Sequence, residues 1–143
     1  MRLDHIAYRV ADRKKAIDFF KNHLKYDIDP DVLDGFDIQF EDGTLARCYA
    51  LIPPESASTC KTRVFDGMFG IQAHAAPEIF VSEGSDNSIV ATWVEKNGPG
   101  IHHLAYEVDS VEEVMRIWKE QGVEFTSEKP LACPGLVQVF TKP

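Results

Sequence analysis

One repeat constrains this chain more than any other feature. The run Leu3-Asp4-His5-Ile6-Ala7-Tyr8-Arg9-Val10 returns as Ile101-His102-His103-Leu104-Ala105-Tyr106-Glu107-Val108, an offset of 98 residues from His5 to His103. His, Ala, Tyr and Val match outright, and two further positions exchange Ile and Leu. A helical pattern follows each copy. Ile17, Phe20 and Leu24 form one apolar stripe. Val111, Val114, Met115 and Trp118 form the other. Ser110-Val111-Glu112-Glu113 reads as a capping box, and Gly122 ends that helix. Two β-α units at a fixed offset predict a duplicated module, each half too small to bury its own sheet face.

Side chains alternate along a strand, so each copy of the repeat has two faces. Ile6, Tyr8 and Val10 are predicted to carry the helix, and so are Leu104, Tyr106 and Val108. His5, Ala7 and Arg9 take the other face of the first copy, and His103, Ala105 and Glu107 that of the second. His5 and His103 are then equivalent positions on the open side of a pseudo-symmetric sheet, each beside a small Ala. Two neutral imidazoles aimed at one place form part of a metal site when an oxygen ligand joins them. His102 points the opposite way and is expected to pack or to support the ligands. Glu107 stands four residues from His103, about 13 Å along a strand, too far for direct co-ligation.

Between the copies, Phe36 to Phe40 alternates, Glu41-Asp42-Gly43-Thr44 supplies a turn, and Arg47 to Ile52 returns. A second hairpin is predicted from Met68 to Ala75 and Glu78 to Ser82, with Ser56 to Phe65 as a loop. Asn87 to Lys96 reads as a short helix and Leu136 to Phe140 as the last strand. In Glu78-Ile79-Phe80-Val81-Ser82, Ile79 and Val81 suit the helix face. Glu78, Phe80 and Ser82 then face the histidines. Glu78 is the first candidate for the carboxylate, with Gln72 and His74 as alternates. Gln138, in an apolar strand, needs a polar partner and is a candidate donor to a ligand.

Composition narrows the function classes. With 143 residues, 15 Lys+Arg and 23 Asp+Glu, the chain carries a net charge of −8. That balance argues against nucleic acid and against an anionic membrane surface as partners. No apolar run approaches the roughly 18 residues of a membrane span, and the first strand begins too early to leave room for a signal peptide. Cys48, Cys60 and Cys133 are odd in number and lack C-x-x-C spacing, which predicts reduced thiols and a cytoplasmic protein.

These residues resemble the vicinal oxygen chelate superfamily. Asp4-His5-Ile6-Ala7 and Gly100-Ile101-His102-His103-Leu104-Ala105-Tyr106-Glu107-Val108-Asp109 are similar to its two metal-histidine strands. The run from Asn87 to His103 is most similar to methylmalonyl-CoA epimerases. The ending Leu136-Val137-Gln138-Val139-Phe140-Thr141-Lys142-Pro143 resembles the catalytic half of 4-hydroxyphenylpyruvate dioxygenases, where the matching Gln faces the substrate. The resemblance implies an α+β fold of two βαβββ modules in an incomplete eight-stranded barrel-like sheet. Module one covers about 1–84, a linker helix about 87–96, and module two about 100–143, its last strand missing. It implies a divalent metal ion (Co, Zn, Ni, Mn or Fe) on His5, His103 and Glu78, with Glu78 also catalytic. Gln138, Phe80 and Ser82 would bind the substrate, an acyl-CoA or a 2-oxo acid, in a homodimer. A CoA substrate would also want basic residues at the cavity mouth, where Arg9, Arg47 and Arg63 could serve. The family's further Glu ligand follows the position of Gln138 by about a dozen residues, so no residue here takes that role. A partner subunit or residues after Pro143 would have to supply it. The implied activity is enolate stabilisation by an epimerase-like enzyme. The alternatives are an Fe(II) oxygenase and a binding module that kept the fold without the chemistry.

Overall fold

The computed structural model describes residues 1–40, 42–54, 61–65, 68–72, 76–133 and 136–142; for 61–65, 68–72, 133 and 136 it describes only the backbone. The fold class is α+β, as expected. Its strands are β1 (Arg2–Arg9), β2 (Asp27–Ile28), β3 (Phe36–Gln39), β4 (Leu45–Ile52), β5 (Lys61–Phe65), β6 (Met68–Gln72), β7 (Glu78–Gly84), β8 (Gly100–Glu107), β9 (Leu131–Cys133) and β10 (Leu136–Gln138). The helices are α1 (Arg13–Phe19), α2 (Ile89–Asn97) and α3 (Val111–Glu120). Two compact units divide the chain, one of Leu3–Ala105 and one of Met1–Arg2 with Tyr106–Pro143.

The main sheet has six strands among the described residues, in the order β2-β4-β7-β1-β8, with β3 also paired to β4. β1 and β7 run parallel, in the register His5↔Glu78, Ile6↔Ile79, Ala7↔Phe80, Tyr8↔Val81 and Arg9↔Ser82. β7 pairs antiparallel with β4, which places Cys48 beside Ser82 and Ala50 beside Phe80. Laterally paired residues share a face, so the sheet sorts cleanly. On one side Leu51, Ile79 and Val81 join Val10, Ile17 and Phe20 in the main core, with Ile6 and Tyr8 packed against it. The other side carries His5, Ala7, Arg9, Glu78, Phe80 and Ser82.

Helix α1 begins at Asp12, whose side chain accepts from the Lys15 amide, and continues as a π turn over Phe20–Leu24. That turn brings Phe20 edge-on to Tyr8, with centroids 5.2 Å apart. Lys25 closes it at φ 62°, an uncommon conformation for a residue with a Cβ. Helix α2 starts at Ser88, whose hydroxyl accepts from the Ala91 amide. Its Val90 sits on Ala46 and Cys48 of β4. Burial there pushes the Cys48 thiol up to about 11, so it stays protonated and unreactive at neutral pH. The Cys60 and Cys133 side chains lie outside the described residues.

Several expectations change. The predicted loop at Ser56 to Phe65 contains β5, and β5 pairs with β6 as a separate two-stranded ribbon. β6 therefore does not pair with β7, which is inserted between β1 and β4 instead; residues 73–75 of the predicted hairpin lie outside the described residues. The reason lies in the partners. Ile79 and Val81 are fully occupied by the α1 core, whereas Lys61-Thr62-Arg63-Val64-Phe65 carries no apolar period to announce a strand. In the smaller unit, the predicted strand Leu136 to Phe140 stops at Gln138 and pairs with β9. The next residues leave it to bond Glu124 and Thr126. The capping box is half formed. Ser110 accepts from the Glu113 amide, but the Glu113 carboxylate pairs with Arg116. Leu104 and Tyr106, expected beneath a helix, remain 49% and 51% exposed. Helix α3 spends its apolar stripe within its own unit, burying Met115 and stacking Trp118 on Phe125 at 6.5 Å.

Gly84 is where α2 meets β7. A Cβ there would strike the Ser88 hydroxyl and approach the Ala91 backbone nitrogen to 2.7 Å. Ser88 is fully buried and committed to its cap, so it has little room to move. Gly84→Ala should therefore cost about 1–3 kcal/mol and lower Tm by several degrees. A thermal melt indistinguishable from that of the parent chain would refute this packing.

Candidate metal centre

The candidate residues on β1, β7 and β8 come together within the larger unit. The His5 and His103 rings meet edge to face, with centroids 5.6 Å apart. Two imidazoles on one tetrahedral ion, each nitrogen about 2.1 Å from it, would place their centroids about 5 Å apart. The observed separation is close to that value. Glu78 is the lateral neighbour of His5 across β1 and β7, on the same face and half-buried. Among the described residues, no group of three or more His, Cys, Asp and Glu side chains is gathered around one point where an ion could sit. The histidine pair has the chemistry to hold a divalent ion, but among the described residues a complete ligand set is not assembled.

Each ring is held by a different device. His5 Nδ1 bonds Asp4 Oδ2 at 2.9 Å, which favours a proton on Nδ1 and leaves Nε2 with its lone pair for an ion. The His5 side chain is only 15% exposed. It lies flat on Phe80, with centroids 3.9 Å apart and planes within 5°. Phe36 meets Phe80 edge-on at 6.1 Å and braces it from β3. His103 Nδ1 lies 2.8 Å from His102 Nδ1, so one ring donates and the other accepts. Trp93 on α2 meets His102 at 5.4 Å.

Electrostatics keep this second pair neutral. Burial lowers the His103 pKa from 6.5 to about 4, and His102, His5 and Arg9 add to the shift. His102 is lowered as well, first by burial and then by Arg9. A neutral imidazole is the form that binds a metal ion.

The remaining candidates have definite places. Phe80 supports the His5 ring. The Ser82 hydroxyl donates to the Tyr8 carbonyl at 3.1 Å. Gln138 lies on β10 opposite Leu131, in the smaller unit. Glu107 pairs with Arg2. Arg47 is engaged by Asp37 at 3.1 Å and stands over Tyr49. The side chains of Gln72 and Arg63, and all of His74, lie outside the described residues. A cavity of about 340 Å³ lined by Glu112, Met115, Arg116, Lys119, Glu128 and Pro130 holds none of the candidates. Sequence reasoning gave Asp4 no role, because alternation turns it away from the His5 face. It also missed the Arg9–Trp93 contact, which depends on where α2 is seated.

Comparison with known proteins now decides the family. The Glyoxalase/Bleomycin resistance protein/Dioxygenase superfamily matches residues 4–135. The chain belongs to that superfamily. Its vicinal oxygen chelate character agrees with the paired histidine strands. Among solved structures, a methylmalonyl-CoA epimerase is 22% identical with a TM-score of 0.69, over 100% of this chain and 86% of that one. The Mycobacterium tuberculosis methylmalonyl-CoA epimerase is 23% identical with a TM-score of 0.70, over 99% of this chain and 79% of the other. A Streptomyces coelicolor methylmalonyl-CoA epimerase variant in complex with 2-nitronate-propionyl-CoA is 20% identical, TM-score 0.67, over 100% and 88%. No curated protein matches the chain. At these identities the likeness establishes the glyoxalase-like fold. No helix among the described residues is long and apolar enough to cross a membrane.

The His103 shift has a sign. Its folded pKa lies below its ordinary value, so the unfolded chain binds the extra proton more readily. The stability His103 contributes is present above pH 6.5 and is lost as the pH falls from 6.5 towards about 4. With chelator present, the Tm of the parent chain should drop relative to His103→Gln across that window. Parallel Tm–pH curves for the two proteins would contradict the burial of this ring.

Proposed function

We propose that this chain is a metal-dependent enzyme that removes a proton next to a carbonyl, of the methylmalonyl-CoA epimerase type. The observation that carries this reading is the meeting of two imidazoles from repeat-equivalent strands, 5.6 Å apart, with the Glu78 carboxylate in lateral register with His5. His5 and His103 would hold a divalent ion. When bound, such an ion polarises a carbonyl and stabilises the enolate charge that develops on it.

The chain's own residues do the rest. Asp4 orients His5. Phe80 and Phe36 keep water from one side of that ring. Glu78 is the base: its carboxylate takes the proton from the α-carbon, and the electron pair of that C–H bond passes to the carbonyl oxygen. Return of a proton to the α-carbon restores the substrate or yields its epimer. Positioned carboxylates of this kind contribute about 10²–10⁴-fold.

Two measurements test the proposal. In calorimetric titrations with Co²⁺ or Mn²⁺, His5→Ala and His103→Ala should each weaken binding at least tenfold; unchanged affinity in both rejects the site. With metal present, methylmalonyl-CoA in D₂O should exchange its α-proton, as read by NMR. Glu78→Gln should slow that exchange by about 100-fold or more. Exchange at the parent rate in Glu78→Gln would remove Glu78 from the reaction.

A further inference from the structure

Arg9 stands on the histidine face, four residues along β1 from His5. Alternation puts His5, Ala7 and Arg9 on one side of the strand, and the lateral partner of Arg9 is Ser82. The Arg9 guanidinium lies 5.7 Å from the centre of the Trp93 ring. Trp93 in turn touches His102, and His102 bonds His103. Arg9 is therefore part of the same constellation as the candidate metal ligands.

Among the described residues its charge meets no acid, and no carboxylate pairs with Arg9. Nearby acids are engaged elsewhere: Glu83 with Arg13 at 3.3 Å, and Asp12 with Lys15 at 3.1 Å. Arg9 is half-buried, and the loss of water lowers its pKa. A guanidinium deprived of water and lacking a counter-ion is costly to keep. The indole face offsets part of that cost through a cation–π contact, but it accepts no hydrogen bond, so the forked donors stay open to a planar anion.

The geometry points to Arg9 as a carboxylate receptor that selects substrates bearing a second anionic group at the end remote from the metal-gripped oxygens. The inference rests on the reading above, in which His5 and His103 hold the ion that grips the other end. The ligand class is then a small acid with two separated anionic ends. Four strand residues put about 13 Å between the α-carbons of His5 and Arg9. A chain of several carbons between the two ends is what the site measures. Trp93 positions the guanidinium without touching the reacting atoms.

A ruler experiment tests this. The Co²⁺-loaded protein is titrated calorimetrically with 2-oxo diacids of five to eight carbons. Each is compared with the 2-oxo monoacid of equal length. At least one diacid should bind tenfold or more tightly than its monoacid. Arg9→Met should bring that ratio within twofold. Arg9→Gln, which keeps a polar group at this half-buried position, should do the same. The favoured diacid should also shift tryptophan emission in the parent chain and not in Trp93→Phe. No diacid preference at any length, or a preference that survives Arg9→Met and Arg9→Gln, overturns the assignment. The metal reading fails separately. If His5→Ala and His103→Ala bind Co²⁺ and the monoacids as the parent does, the histidine site is wrong, and the diacid ratio still reports on Arg9.

Discussion

The parallel pairing of β1 with β7 is the contact on which the rest depends. Because strand side chains alternate, a single register decides both faces of two strands at once. His5 opposite Glu78 entails Ile6 opposite Ile79 and Tyr8 opposite Val81. A slip of one residue along either strand would put an imidazole or a carboxylate into the core and an isoleucine outside it. The core enforces the choice: Leu51 and Val81 are completely buried and Ile79 nearly so, all against α1. Apolar burial behind the sheet thus specifies polar geometry in front of it. The hydrophobic effect is non-directional, yet through the two-residue period it aims side chains that never enter the core.

Holding two imidazoles near each other is not sufficient; each must be neutral and correctly turned. His5 meets the second requirement through Asp4 and Phe80, a hydrogen bond at the ring edge and a stack on its face. His103 meets the first through burial, reinforced by His102 and His5. These solutions differ although the histidines occupy equivalent repeat positions. The divergence follows the preceding residue, Asp4 in one copy and His102 in the other. A carboxylate supports a ring that keeps its Nδ1 proton. A second imidazole leaves the partition of one proton between two rings to their surroundings.

The repeat made much of this legible. It predicted the strand faces, the paired histidines and the side of β7 that carries Glu78, since all three follow from the period of two and the offset of 98 residues. What it could not convey depends on partners remote in sequence. β9 has three residues, too few for a period to register. β5 pairs with β6 through backbone bonds that its side chains do not announce. The expected helix face of β8 stays half exposed at Leu104 and Tyr106. Alternation puts Phe80 on the histidine face but carries no sign of the stack its ring makes on His5.

Arg9 and Trp93 show how a packing detail far from the histidines governs their surroundings. Gly84 has no Cβ, so α2 can approach β7 until the Ser88 hydroxyl and the Ala91 amide lie over the strand. Val90 then seats on Ala46 and Cys48. Trp93 is three residues further on, nearly one turn, so it projects from the same side of α2 and arrives over Arg9. Had β7 carried any larger residue at Gly84, the helix would stand further off, and the indole with it. Arg9 would then lose the aromatic surface that offsets part of the cost of its half-buried charge. Its side chain would be drawn towards solvent and its charge away from His102 and His103. The electrostatic character of the histidine face is therefore set partly by an absent methyl group at the far end of a neighbouring strand.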